Sequence, residues 1–310
     1  MLKMLVTKRE MVAERIVALE LTAEDGALLP PFEAGAHIDV ALPNGMVRQY
    51  SLLNDPQERE RYVIAVLRDP GSRGGSVCVH DDISAGMALR IGAPRNLFAL
   101  RPTGGALLFA GGIGITPLLA MAHTLHREGR AFMLHYCARN RAAAAFADTL
   151  PWGERVALHV DDEAPAQRLD AKAVLATAAP GTEAYVCGPA GFIAHVFESA
   201  RAVGWDEARL HAESFAPQAM TGGGFTLRLA RRGTLVEVAA NQSALAALLA
   251  AGVELPVSCE QGICGTCRTT VLAGEPEHRD NFLTRTEQAR GNCFLPCVSR
   301  ARSAELVLDL

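Results

Sequence analysis

Three cysteines, Cys259, Cys264 and Cys267, fall within nine residues in a C-x4-C-x2-C pattern, and Cys297 follows thirty positions after the last of them. That spacing suits four thiolates holding a plant-type [2Fe–2S] cluster. Such a site needs a loop tight enough to turn the sulfurs inward, and Gly262 and Gly265 give the backbone that freedom. Structural zinc is the competing chemistry, but four-cysteine zinc sites come as two C-x2-C pairs, and a second pair is missing here. Cys293 competes with Cys297 for the fourth place. The other cysteines among the eight are scattered. The N-terminal MLKMLVTKREMVAERIV has no apolar core of an export signal, so clustered thiols read as a metal site in a cytoplasmic protein rather than as disulfides.

A second constellation is Gly111-Gly-Ile-Gly-Ile-Thr-Pro117, placed where a strand hands over to a helix. Glycines let a backbone approach a pyrophosphate, and a helix N-terminus offers N–H groups and the positive end of its dipole. The spacing is not the G-x-G-x-x-G dinucleotide fingerprint. Cys187-Gly-Pro189 ends a later strand, where ligands gather in open α/β sheets. Arg139 and Arg141 follow the second strand of that sheet and are placed either for the adenosine half of a dinucleotide or as solvated surface charge. A third group, Arg48-Gln-Tyr-Ser51, puts a phosphate-binding guanidinium, a ring that can pack on a flavin and a hydroxyl on one strand. Gly71-Ser-Arg-Gly-Gly-Ser76 has the composition of a phosphate-wrapping loop, though a plain surface turn has it too.

These groups sit on three kinds of framework. In the first hundred residues, 36–42, 46–52 and 62–68 run at strand length between Pro-Asn-Gly and Asp-Pro punctuation, which predicts a small antiparallel barrel or sandwich with few helices. From 106 the pattern alternates. Strands at 106–110, 131–137, 156–160 and 184–187 are separated by a helix through His126 and an Ala-rich helix over 142–150, predicting a parallel sheet. Residues 216–224 read as a linker. A hairpin at 225–229 and 235–238, a helix over 243–251 and a last strand at 305–310 frame the cysteines.

Bulk properties narrow the field. At 310 residues, about two or three compact units are expected, and 49% hydrophobic content is enough to fill their cores. A net charge of −4, spread along the chain, gives no reason to expect nucleic acid or an anionic membrane as partner. The uncharged stretch 102–126 is broken by glycines and a proline, so a buried strand, turn and helix explain it better than a membrane span.

In order along the chain, R-x-Y-S (Arg48, Tyr50, Ser51), G-S-R-G-G-S (71–76), G-G-I-G-I-T-P (111–117), C-G-P (187–189), E-x-F (Glu213, Phe215) and the cysteines resemble the phthalate dioxygenase reductase family, which includes vanillate demethylase reductase subunits, across the whole chain. The family lies in the ferredoxin–NADP reductase superfamily. The resemblance implies a multidomain architecture: an N-terminal antiparallel β-barrel flavin domain (1–101), a parallel-sheet α/β nucleotide domain (102–216), a linker (217–224) and a C-terminal β-grasp-like ferredoxin domain (225–310). It implies FMN, with FAD as the alternative, held by Arg48, Tyr50, Ser51, Leu67, Arg68, Gly75, Ser76, Val77 and Thr116, with Phe215 near the flavin. NADH would lie over Gly112, Gly114, Ile115, Thr116 and Pro117, reaching Arg139, Gly188 and Pro189, with its nicotinamide near Cys187. The arginines leave NADPH open.

Ser51, Thr116, Cys187 and Glu213 would surround the hydride transfer, with no nucleophile or general base required. Pro296-Cys-Val-Ser-Arg-Ala301 resembles the fourth-ligand segment of such ferredoxin domains, which favours Cys297 and leaves Cys293 a buried bystander. His37, His80, Asp161 and Asp162 are then structural or surface groups. Plant-type clusters sit at roughly −400 mV, low enough to reduce a downstream acceptor. The implied acceptor is the Rieske-type oxygenase component of an aromatic mono- or dioxygenase, in aromatic catabolism, served by a monomeric reductase. The rivals are a reductase for a diiron or heme oxygenase, whose ferredoxin domain is often N-terminal, and a non-enzymatic iron–sulfur subunit.

Overall fold

The computed structural model describes residues 1–310 except Arg73, Pro102, Thr103, residues 216–220, Ser258, Cys259, Gln261, Ile263, Cys264, Asn281 and the Ala166 side chain. The chain divides into two compact units, Met1–Ala216 and Pro217–Leu310. The first half of the expected linker, 217–220, lies outside the described residues.

The first unit opens with an antiparallel sheet of seven strands. These are β1 (Leu2–Ala13), β2 (Ile16–Ala23), β3 (Ala36–Ala41), β4 (Val47–Ser51), β5 (Tyr62–Leu67), β6 (Ala88–Ile91) and β7 (Arg95–Asn96), with one helix, α1 (Gly75–Asp81), between β5 and β6. Hydrogen bonding runs β4-β3-β6-β1-β2-β5, with β7 beside β3. Just past β4, Leu53 N–H donates to Val63 O at 3.0 Å and Asn54 Oδ1 accepts from Val63 N–H at 2.9 Å, which draws the two end strands together. Period-two alternation sets the faces. Ile38 and Val40 are fully buried, while Asp39 between them takes hydrogen bonds from Gln49 and Arg95.

The second sheet is wholly parallel, ordered β10-β9-β8-β11-β12. It contains β8 (Ala106–Gly111), β9 (Phe132–Ala138), β10 (Val156–Val160), β11 (Glu183–Cys187) and β12 (Leu210–Glu213), with α2 (Ile115–Arg127), α3 (Ala171–Ala176) and α4 (Ala190–Ala202) as crossovers. Every residue of β8 is buried, and Leu118, Leu119, Met121 and Leu125 of α2 fill the core beside it, which accounts for the uncharged stretch. Among the described residues no helix is long and apolar enough to cross a membrane.

One sequence expectation fails. Residues 142–150 form no α-helix but two 3-10 turns, Arg141–Ala143 and Ala147–Thr149, separated by Phe146 at φ 66°. A left-handed aromatic residue interrupts the i→i−4 ladder, so alanine propensity loses to the local packing of Phe146 and Trp152 against the main core.

The second unit is a mixed sheet ordered β14-β13-β19-β15-β17, formed by β13 (Phe225–Leu229), β14 (Thr234–Val238), β15 (Thr269–Ala273), β17 (Cys293–Phe294) and β19 (Glu305–Leu308). Two short strands, β16 (Pro276–Glu277) and β18 (Arg300–Ala301), pair separately. The helix α5 (Ala244–Ala250) is capped by Ser243 Oγ, which accepts from Ala246 N–H, and its apolar side joins the sheet's core. A last helix, α6 (Arg285–Arg290), starts with a Thr284–Glu287 capping box.

Candidate functional site

In the parallel sheet the chain moves outward from β8 through β9 and β10, then returns to the other side of β8 with β11 and β12. The strand order therefore reverses between β8 and β11, and the crevice above their C-terminal ends is where ligands bind in such sheets. Both sequence motifs lie there. A Cβ on Gly114 would stand 2.2 Å from the Cys187 carbonyl oxygen, and one on Gly188 would stand 3.0 Å from Gly111 Cα. The two segments thus meet backbone to backbone, and only glycine permits it. Gly112, at φ 56°, faces open space. Thr116 is buried and donates through Oγ1 to Ile113 O at 3.1 Å, which tightens the turn into α2. Ile115 is buried and Pro117 occupies the first turn of α2, where its missing N–H costs nothing.

Register places Ala110, Cys187 and Glu213 side by side across β8, β11 and β12. Burial pushes the Cys187 thiol well up, and the neighbouring Glu213 adds to the shift. Ser51, at the end of β4, stands close enough to Glu213 for its hydroxyl to favour the charged carboxylate, so the barrel meets the sheet here. Glu213 Oε2 is shielded from water and has no hydrogen-bond partner, and burial pushes this carboxyl up to about 8 against the pull of Ser51. Its orphaned oxygen at a ligand crevice fits a bound redox group.

On the barrel, Arg48 and the glycine loop come together. A Cβ on Gly75 would lie 2.8 Å from Arg48 Nε and 2.9 Å from its Cγ, so Gly75 leaves just enough room for that side chain. Arg48 has no ion pair among the described residues; it donates to Val47 O at 2.9 Å and approaches Met46 sulfur at 3.4 Å. That free guanidinium beside a glycine loop fits a phosphate. Tyr50 lies two residues on, its phenol held protonated by burial. Ser76 Oγ accepts from Asp69 N–H at 3.1 Å, and Val77 is half-buried. Arg73 lies outside the described residues.

Other expected contacts are less committed. Arg68 is half-buried and forms a bidentate pair with Asp81, and Leu67 and Phe215 are exposed. Arg139 is exposed after β9 without an ion pair among the described residues, whereas Arg141 pairs with Glu163 at 2.6 Å, so the structure separates two arginines the sequence treated alike. Pro189 caps α4. The sequence missed Asn44, whose side-chain N–H donates to Gly74 O at 3.1 Å and fixes the loop at its φ of 108°; the Pro-Asn-Gly turn was the available signal. His80 is held on Val66 O at 2.9 Å, and burial lowers His37 to about 4.

Of the four expected metal ligands, Cys259 and Cys264 lie outside the described residues. Cys267 and Cys297 are buried in one small core with Leu245, Leu283, Cys293, Leu295 and Val298. Gly262 and Gly265 both sit at φ 73°, and their missing side chains make room for Val298 and for the Phe282 ring. Cys297 occupies a turn, while Cys293 is fixed in β17 opposite Thr270. Two buried thiols on a glycine-hinged loop and a turn are a donor set that fits iron–sulfur chemistry.

A flavin-type barrel packed beside a dinucleotide sheet, in a chain that also carries a thiol-lined domain, defines an iron–sulfur flavoprotein reductase. Residues 227–302 match the family described as 2Fe-2S iron-sulfur cluster binding domain. A vanillate O-demethylase oxidoreductase from Pseudomonas sp. (strain HR199 / DSM 7063) is 49% identical over 317 residues, covering 100% of both chains. The solved phthalate dioxygenase reductase, described as a modular structure for electron transfer from pyridine nucleotides to [2Fe–2S], is 44% identical with a TM-score of 0.75, over 100% of this chain and 98% of that one. An intact type IV self-sufficient cytochrome P450 monooxygenase is 39% identical with a TM-score of 0.79, over 100% of this chain and 41% of that one. The chain belongs to the family of vanillate O-demethylase oxidoreductases and phthalate dioxygenase reductases, and is an oxidoreductase of the flavin and iron–sulfur type.

Proposed function

We propose that this chain is the NADH-dependent reductase component of a two-component Rieske-type aromatic oxygenase, working as a monomer in the cytoplasm. The carrying observation is the meeting of Ser51, Cys187 and Glu213 at the strand-order reversal, where barrel and dinucleotide sheet share one crevice. When bound, FMN accepts a hydride from NADH and the [2Fe–2S] cluster carries its electrons onward singly.

The chain's own residues do the positioning. Arg48 and the loop at Gly75 and Ser76 hold the flavin phosphate, Tyr50 packs on the ring, and Ser51 and Thr116 orient it. Gly112, Gly114 and Pro117 admit the pyrophosphate, Arg139 meets the adenosine half, and Cys187 with Gly188 and Pro189 backs the nicotinamide. Glu213, protonated near neutral pH, keeps a charge away from the hydride path. Phe215, Leu67, Arg68 and Val77 line the flavin's edge. Cys259, Cys264, Cys267 and Cys297 hold the cluster.

A heme acceptor is the second reading. The full-length match to a self-sufficient cytochrome P450 means that a C-terminal ferredoxin domain does not by itself argue against one. Steady-state reduction of a purified Rieske oxygenase and of a cytochrome P450 by NADH separates the two: the Rieske protein should be reduced at the faster rate, and a preference for the heme protein reverses the assignment.

A further inference from the structure

The iron–sulfur unit contains a buried acid that the activity above leaves unused. Asp280 is 6% exposed, with its side chain wholly enclosed, and it is the one buried acid of this unit among the described residues. Both its oxygens accept hydrogen bonds, Oδ2 from Leu283 N–H at 2.8 Å and Oδ1 from Ser299 Oγ at 3.1 Å, the pattern of a carboxylate. Ser299 Oγ in turn accepts from Arg279 N–H at 3.1 Å.

Each partner leads to the thiols. Leu283 packs in the same core as Cys267 and Cys297. Ser299 stands two residues after Cys297, its N–H on Leu295 O at 2.9 Å. On the remaining side Asp280 abuts Gly262, where a Cβ would lie 3.1 Å from Asp280 Cα and 2.5 Å from Val298 Cγ2. Among the described residues no guanidinium neutralises the acid. Arg279 is spent on Glu277 at 2.8 Å, and buried Arg300 on the carbonyls of Gln242, Gly223 and Ala239. His278 Nδ1, at 3.5 Å, is beyond hydrogen-bonding geometry. Buried carboxylates are costly without a fixed cation, and this one has two hydrogen-bond donors and, at 3.5 Å, only an imidazole that is a cation when protonated, so its place beside the thiols calls for a role.

We propose that Asp280 is a positioning residue of the iron–sulfur domain, clipping the cysteine loop to the Cys297 turn and holding down the electron affinity of the cluster with its charge. Reduction adds negative charge to the cluster, and a fixed anion nearby opposes it. The proposal rests on the thiol assignment made under Proposed function.

The test is a spectroscopically monitored redox titration of the full chain with its flavin and cluster. Asp280→Asn keeps the shape and removes the charge. Its cluster reduction constant should rise about tenfold, about 59 mV for one electron, with iron and sulfide content unchanged. Ser299→Ala keeps the charge but removes a donor that screens it, so the constant should fall by roughly two- to threefold. An Asp280→Asn protein with a full cluster and an unshifted potential overturns the proposal. If that variant does not retain its cluster, Ser299→Ala decides, and a rise or no change in its reduction constant overturns it. Wild-type protein without iron and sulfide would instead sink the thiol assignment itself.

Discussion

Replacing Glu213 by Gln should change how the first unit's stability responds to pH. The carboxyl is held up to about 8 in the folded chain against an ordinary 4.5, because its Oε2 is enclosed without a partner. Between those two values the folded state keeps a proton that the unfolded state has lost. Stability contributed by the neutral carboxyl is therefore fully present below pH 4.5 and is lost as pH rises towards 8. The slope is about 1.4 kcal/mol per pH unit. From pH 5.5 to 7.5 the wild type should lose up to about 3 kcal/mol relative to Glu213→Gln, whose amide does not titrate. For a domain of this size that difference is of order 5–10 °C in Tm. Denaturant titration of both holoproteins at the two pH values is the assay. Parallel pH dependence in wild type and variant would refute the buried, protonated state of Glu213.

Gly114→Ala drives a methyl into the Cys187 carbonyl at 2.2 Å, and neither backbone can rotate away. Overpacking of this kind costs about 1–3 kcal/mol, and a displaced turn should reduce kcat/KM for NADH by roughly a hundredfold while flavin content persists; stopped-flow flavin reduction reads it. Cys297→Ser should abolish the cluster's visible absorption, with Cys293→Ser leaving it intact, and NADH should still reduce the flavin in both. Arg139→Glu should raise KM for the dinucleotide several-fold with little change in kcat if, as proposed, this exposed guanidinium meets the adenosine half and not the reacting end.

The nucleotide crevice was legible because its signal is local. An apolar run, a glycine turn and a helix at 106–126 can pack in few ways, and the structure puts them at the strand-order reversal. The antiparallel barrel followed from alternation in the same way. The helix expected over 142–150 failed because alanine content speaks only of local preference, whereas Phe146 and Trp152 are fixed by a core assembled from distant strands. Long-range pairing was likewise invisible. Nothing near Arg141 in sequence foretells Glu163 across the turn after β10, so the distinction between Arg139 and Arg141 needed the fold. The protonation of Glu213 and the enclosure of Asp280 are products of burial, and the sequence offered only their residue types. The glycines at 262 and 265 were readable in advance, and their left-handed backbone carries the turn that the spacing of the thiols requires.

Metal and cofactor analysis of anaerobically prepared protein, followed by one addition of NADH, tests the central claim most directly. Iron and acid-labile sulfide in equal amounts, a released flavin identified as FMN, and bleaching of both chromophores by NADH are the expected result. Zinc in place of iron, or a flavin that NADH reduces while the iron–sulfur absorption stays oxidised, would contradict it.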